Sequence, residues 1–129
     1  MTKVIKQESE WRAQLSELAF EVTRNAATER PFLEHNFPDT QGLFHCICCN
    51  SELFSSSSKY NSGSGWPSFY QKYQTANIIE SEDNSYGMKR IEVSCGTCDA
   101  HLGHLFPDGP KPTGLRYCIN GSALIFRDK

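Results

Sequence analysis

Cys46-x-x-Cys49 and Cys95-x-x-Cys98 are two thiol pairs at metal-ligand spacing. Two residues between cysteines let both sulfurs of a knuckle face one ion. Two knuckles complete a tetrahedral four-sulfur shell, the usual structural zinc arrangement. Such a closed shell has no open position, so this one zinc ion is expected to staple the chain rather than react. Iron–sulfur ligation satisfies the same ligand count. A redox dithiol is the other alternative, but neither pair sits at a strand-to-helix junction. Cys48 lies inside the first knuckle at the wrong gap and is read as a non-ligand.

Cys118 stands outside both clusters. A lone cysteine in a strand is most often a small buried hydrophobe. Here strand alternation puts Arg116, Cys118 and Asn120 on one polar face and Leu115, Tyr117 and Ile119 on the other, apolar one. Arg116 favours the thiolate, the reactive form. Upstream, His101 and His104 are spaced i, i+3, followed by Asp108. A histidine near a thiolate suits acid–base work near neutral pH; a metal pair or an ordinary packed imidazole is the alternative. The loop Gly63-Ser-Gly-Trp-Pro-Ser-Phe69 reads either as a turn capped by core aromatics or as one wall of a small apolar pocket, with Trp66 at its base.

These residues need a scaffold. Trp11, Leu15, Leu18 and Val22 recur at helical spacing, and Ser16 before Glu17 is a candidate internal N-cap that would split the segment into two short helices. After Gly42 the pattern turns to strands. Candidates are Leu43–Cys46, Glu52–Phe54, Asn77–Glu80, Arg90–Val93, Leu115–Asn120 and Ala123–Phe126, the middle two flanking a polar turn. No helical pattern separates them, so the fold class is mainly β (α+β) and antiparallel, with helices at the N-terminus.

Composition sets outer limits. The 129 residues are expected to form one domain, 1–129. Thirteen basic against fifteen acidic residues leave no basic excess for a nucleic-acid partner. No stretch reaches the roughly 20 apolar residues of a membrane span. The polar N-terminus lacks the apolar run of a signal peptide, which predicts a cytoplasmic protein.

In order along the chain come Cys46-x-x-Cys49, Ser62-Gly-Ser-Gly-Trp-Pro-Ser-Phe69, Cys95-x-x-Cys98-Asp-Ala-His-Leu-Gly-His-Leu-Phe106, Pro107-Asp-Gly-Pro110 and Arg116-Tyr-Cys-Ile-Asn120. From about Ser9 to the C-terminus the chain resembles the peptide-methionine (R)-S-oxide reductase family, the B-type methionine sulfoxide reductases. The resemblance implies two antiparallel sheets with short N-terminal helices, stapled by zinc on Cys46, Cys49, Cys95 and Cys98. It implies that Cys118 attacks the sulfur of methionine-R-sulfoxide, free or in proteins. His101, His104, Asp108, Arg116 and Asn120 match the family's polar site positions, and Trp66 matches the residue that holds the substrate's S-methyl group; Phe69, in the same aromatic loop, is read as substrate-binding beside it. A Cys118 sulfenic acid would follow, re-reduced by thioredoxin or another thiol. The resemblance also implies a monomer.

Two positions depart from the family pattern. Ser64 stands where many members carry a resolving cysteine, so reduction must come from an external thiol, or from Cys48 if that knuckle reaches. Gly121 stands where serine is usual, with a small effect expected from added backbone freedom. The competing reading is a zinc-ribbon-like interaction module. A pure binding module has no reason to build the polar face of Arg116, Cys118 and Asn120.

Overall fold

The structure, a computed structural model, describes residues 3–128. Two helices open it: α1 (Glu8–Gln14) and α2 (Glu17–Asn25). Leu15 leaves helical geometry, and the Ser16 hydroxyl accepts the Ala19 N–H, so the expected internal cap divides the segment. The break resets the helical phase. Trp11, Leu15 and Val22 are buried as expected, but Leu18 is 42% exposed, because α2 turns Ala19, Phe20, Val22 and Thr23 inward instead.

Nine strands follow among the described residues. β1 (Gly42–Cys46), β2 (Glu52–Ser55) and β9 (Leu124–Asp128) form a three-stranded sheet with β1 in the centre. The other sheet has six strands, in the order β3 (Lys59–Tyr60), β4 (Ser68–Phe69), β8 (Arg116–Ile119), β7 (His101–Phe106), β6 (Arg90–Cys95) and β5 (Ile78–Asp83). Every pairing is antiparallel. The expected strands are present, and β5 runs on to Asp83. The sequence reading assigns no strand to His101–Phe106. That segment is β7, which pairs with both β6 and β8.

The core lies between the sheets and is largely aromatic. Phe54 stacks on Phe69 at 4.4 Å, and Phe44 meets Phe69 and Phe126 edge-on at 5.2 and 5.0 Å. Tyr117 joins Phe54 from β8. Alternation along β8 holds: Tyr117 and Ile119 are buried in this core, whereas Arg116 and Cys118 face away and are half-buried. The chain crosses from β8 to β9, one sheet to the other, through a short 3-10 turn at Gly121–Ala123. Cys118 therefore sits on an interior strand, its backbone fixed on both sides.

Among the described residues no helix is long and apolar enough to cross a membrane.

Candidate active site and metal centre

The two CxxC segments fold alike. In each, the first cysteine carbonyl accepts an N–H from the residue after the second cysteine, Asn50 to Cys46 and Asp99 to Cys95, both 2.8 Å. Both closing residues adopt left-handed backbone, at φ 66° and 65°, a conformation Asn and Asp tolerate better than most. The knuckles hang from β1 and β6, so one ion would tie the two sheets together. The four sulfurs lie within 4.8 Å of one another, with Cys46–Cys98 and Cys49–Cys95 at 3.6 Å. Tetrahedral zinc–sulfur bonds of roughly 2.3 Å require sulfurs about 3.8 Å apart, so the donor set fits a metal ion of that kind.

Polar neighbours donate toward this sulfur group. Arg24 donates to the Cys98 carbonyl at 2.9 Å and points an N–H at its sulfur at 3.7 Å. The same guanidinium lies over the Trp11 ring, so α1 and α2 brace this end. The Ser51 hydroxyl is 3.0 Å from the Cys49 sulfur. Cys48 is outside the four-sulfur group, as read from its spacing. It is buried, and it does not line the cleft at Cys118.

That cleft holds about 100 Å³ and is lined by Thr28, Trp66, Arg90, Gly103, His104, Phe106, Cys118 and Asn120. None of the four clustered cysteines reaches it. Its floor is the β7–β8 ladder, where His104 pairs directly with Cys118, and Ser68 of β4 pairs with Cys118 on the other side. Gly103 is required: a Cβ there would lie 2.0 Å from the Cys118 carbonyl oxygen. Trp66 enters from a loop held by Gly63 and Gly65, both at positive φ, and its indole N–H donates to the Glu29 carbonyl at 2.9 Å.

The two histidines differ. His104 faces the cleft, and its Nε2 is 2.8 Å from an Asp83 carboxylate oxygen. That bond, with the Ser85 amide and Arg90, holds the Asp83 carboxyl below the usual carboxylate range. His101 is buried and pairs through Nδ1 with Glu92 at 2.7 Å; its Nε2 has no protein partner. Burial pushes the His101 pKa down despite Glu92, which favours the neutral ring. The rings are 5.6 Å apart, each committed to a different carboxylate. Among the described residues the group of three or more converging metal-type ligands is the four cysteines.

Arg116 is gripped by Asp108 through two hydrogen bonds of 2.8 and 3.2 Å and lies over the Phe106 ring. It draws Cys118 toward the thiolate, as expected from the sequence. The net direction is nevertheless upward: burial raises the Cys118 pKa, outweighing Ser64 and Arg116, and Asp108 adds to the rise. The resting group is a thiol.

Asn120 is buried, its amide N–H donating to the Leu102 carbonyl at 3.0 Å and its oxygen accepting the Glu29 N–H. Phe69 is not brought to the cleft. It is fully buried in the aromatic core, because alternation along β4 turns it away from the face that Ser68 shares with Cys118. Phe106 lines the cleft in its stead. Its i, i+2 spacing from His104 carried that signal once the segment is read as a strand. Thr28, Glu29, Asp83, Arg90 and Glu92 also escaped the sequence reading. They arrive through strand register and a loop packing, which no local spacing encodes.

A half-buried cysteine on an interior strand, faced by a histidine and walled by aromatics, defines a thiol oxidoreductase domain with a separate four-sulfur centre. A family model for the SelR domain matches residues 15–128, and the chain belongs to that family. It is 53% identical over 125 residues to the peptide methionine sulfoxide reductase MsrB of Pseudomonas aeruginosa (strain PAO1), covering 96% of this chain and 95% of the relative. It is 54% identical over 130 aligned positions to the MsrB of Pseudomonas entomophila (strain L48), covering 100% and 99%. With the MsrB of Herminiimonas arsenicoxydans it shares 52% over 125 residues, covering 96% and 91%.

Proposed function

We propose that this protein reduces methionine-R-sulfoxide, free or within polypeptides, to methionine, with Cys118 as the attacking thiol. The observation that carries the reading is the register pair of His104 and Cys118 inside a cleft walled by Trp66 and Phe106. A sulfoxide presents a methyl group, an oxygen and a lone pair in one handed arrangement. Trp66 and Phe106 offer apolar surface to the methyl; His104 and Asn120 offer polar atoms to the oxygen.

The cleft supports the following steps. Cys118 passes its proton to His104 as substrate enters, with Arg116 and the Ser64 hydroxyl favouring the thiolate. Its sulfur attacks the sulfoxide sulfur while His104, oriented by Asp83, protonates the oxygen. The oxygen transfers to Cys118 as a sulfenic acid and the thioether departs; two electrons pass from Cys118 to the substrate. An external thiol then attacks the sulfenic acid, water leaves, and a second thiol frees Cys118. Thioredoxin or a related dithiol protein fits that role, and so does a small thiol, since Ser64 forms no disulfide. Asp108 holds the Arg116 guanidinium, and His101 with Glu92 braces the strand beneath.

Zinc is the metal we assign to Cys46, Cys49, Cys95 and Cys98. When bound it would supply a closed cross-link between the knuckles, and the reaction proceeds at the other cleft. The reading includes one domain over residues 1–129, acting as a monomer. A cytoplasmic setting suits six cysteines that are all free.

The test is reduction of blocked methionine sulfoxide, R and S epimers separately, with dithiothreitol and then thioredoxin. Turnover of the R epimer alone supports the reading. No turnover of either epimer by zinc-loaded protein with a free Cys118 thiol would leave a zinc-ribbon-like interaction module instead.

A further inference from the structure

Glu29 bonds to four residues, two of which, Trp66 and Asn120, line the cleft. Its carboxyl group is fully buried, with one oxygen 2.7 Å from His35 Nε2 and the other accepting the Ser122 N–H at 2.8 Å. Its backbone N–H donates to the Asn120 side-chain oxygen at 3.0 Å, and its carbonyl accepts the Trp66 indole N–H at 2.9 Å. A buried carboxyl group costs free energy unless its hydrogen bonds are made, and here both oxygens are engaged. His35 is held in turn, its ring stacked against Phe37 at 5.4 Å and lying over Gly121, where a Cβ would come within 2.2 Å of it. Gly121 thus provides room for His35, and added backbone freedom is not its role.

We propose that Glu29 is a positioning residue: its carboxyl group, clamped between His35 and Ser122, fixes the backbone whose N–H and carbonyl orient Asn120 and Trp66. This rests on the reading of Trp66 and Asn120 as substrate-contacting groups. A residue binding two walls and the turn after the nucleophile sets the width of the cleft. The side chain holds the backbone in place, and the backbone holds the site.

The experiment pairs kinetics on the R epimer with the Trp66 indole N–H signal of ¹⁵N-tryptophan-labelled, zinc-loaded protein. In Glu29→Ala the indole proton moves upfield and exchanges faster with solvent. Misplacement of that kind lowers kcat/KM by about 100-fold, with metal content unchanged. Glu29→Gln still accepts from Ser122 and donates to His35, so it restores the indole signal and most of the activity. If Glu29→Ala fails to fold, Gly121→Ser supplies the second probe: it displaces His35 from Glu29, shifts the indole signal and lowers kcat/KM, and His35→Ala, which removes the same half of the clamp, changes both in the same direction. An unchanged indole signal and kcat/KM in folded Glu29→Ala would overturn the proposal. So would Gln failing to rescue a folded Ala variant, or an indole signal and kcat/KM left unchanged in folded Gly121→Ser and His35→Ala. The indole signal does not depend on turnover. Failure of the reductase reading would appear as an inactive parent protein, and the clamp would still be decided by that signal.

Discussion

His104 and Cys118 stand directly opposite each other across the β7–β8 ladder, and Asp83 holds the imidazole through Nε2 at 2.8 Å. Cross-strand partners have Cβ atoms about 5 Å apart, which leaves room for one small group between them. His104→Gln is expected to lower kcat/KM for the R epimer by about 10²–10⁴-fold, the range for a lost general acid. His101→Gln should cost less, because His101 is buried, uncharged by its surroundings and absent from the cleft lining. Equal losses in two folded, zinc-loaded variants would contradict this division.

The Asp83–His104 pair also has an acid signature. The Asp83 pKa is depressed, chiefly by His104, so its contribution to stability is present above the ordinary carboxylate value of about 3.9. That contribution is lost as pH falls through the depressed folded value. Urea unfolding of the parent and His104→Gln should therefore differ more at pH 5 than at pH 2. A difference that grows on acidification would refute the assignment.

Burial sets the resting state of Cys118 as a thiol, with Arg116 opposing. Alkylation by iodoacetamide should accelerate at pH values above those for an ordinary cysteine, and Arg116→Met should move the profile higher still. Cys118→Ser removes the reaction of this site and abolishes turnover while metal content stays constant. Loss of zinc in that variant would contradict the separation of the two cysteine sets.

Much of this site was legible in the sequence because it depends on short-range geometry. The CxxC gap forces two sulfurs toward one point, and alternation in Arg116-Tyr-Cys-Ile-Asn120 sorts polar from apolar faces without any tertiary information. Ser16 announced the helix break through its own hydroxyl. What stayed hidden depends on register or long-range packing. Asp83 reaches His104 only because β5 pairs with β6 and β6 with β7, and Glu29 arrives on a loop 91 residues from Asn120. Phe69 was misplaced for a related reason: whether an aromatic beside Trp66 faces cleft or core is decided by which face of β4 meets β8.

Phe69 and Phe106 should accordingly separate in mutation. Phe69→Ala opens a cavity in the aromatic core and should cost about 3–5 kcal/mol of stability. Its folded fraction should keep a near-parental KM. Phe106→Ala, at a half-buried cleft position, should spare most of the stability and raise KM for the R epimer. The check is urea unfolding beside steady-state kinetics; a raised KM in Phe69→Ala with an unaltered fold would return Phe69 to the substrate wall.

The metal knuckles predict a different failure. Cys95→Ser leaves three thiolates, and a shell that contributes folding energy is weakened. Zinc content should fall well below one ion per chain and Tm should drop by about 10 °C or more, corresponding to roughly 3 kcal/mol in a domain of this size. Cys48→Ser should retain full zinc. Equal zinc loss in both would place Cys48 among the ligands.

Ser64 allows the regeneration step to be rewired. Its hydroxyl lies 4.0 Å from the Cys118 sulfur, in a loop whose flanking Gly63 and Gly65 tolerate backbone adjustment. A thiol at that position would be close enough to attack a sulfenic acid on Cys118 with release of water. Without reductant, the parent should consume about one equivalent of the R epimer, lose one titratable thiol and carry a dimedone-reactive sulfur. Ser64→Cys should instead lose two thiols per equivalent and show no dimedone adduct, with a disulfide between positions 64 and 118 in the peptide map. Two thiols lost in the parent would mean that another cysteine reaches Cys118. The buried Cys48 would be the first to map, and direct reduction by an external thiol would no longer follow.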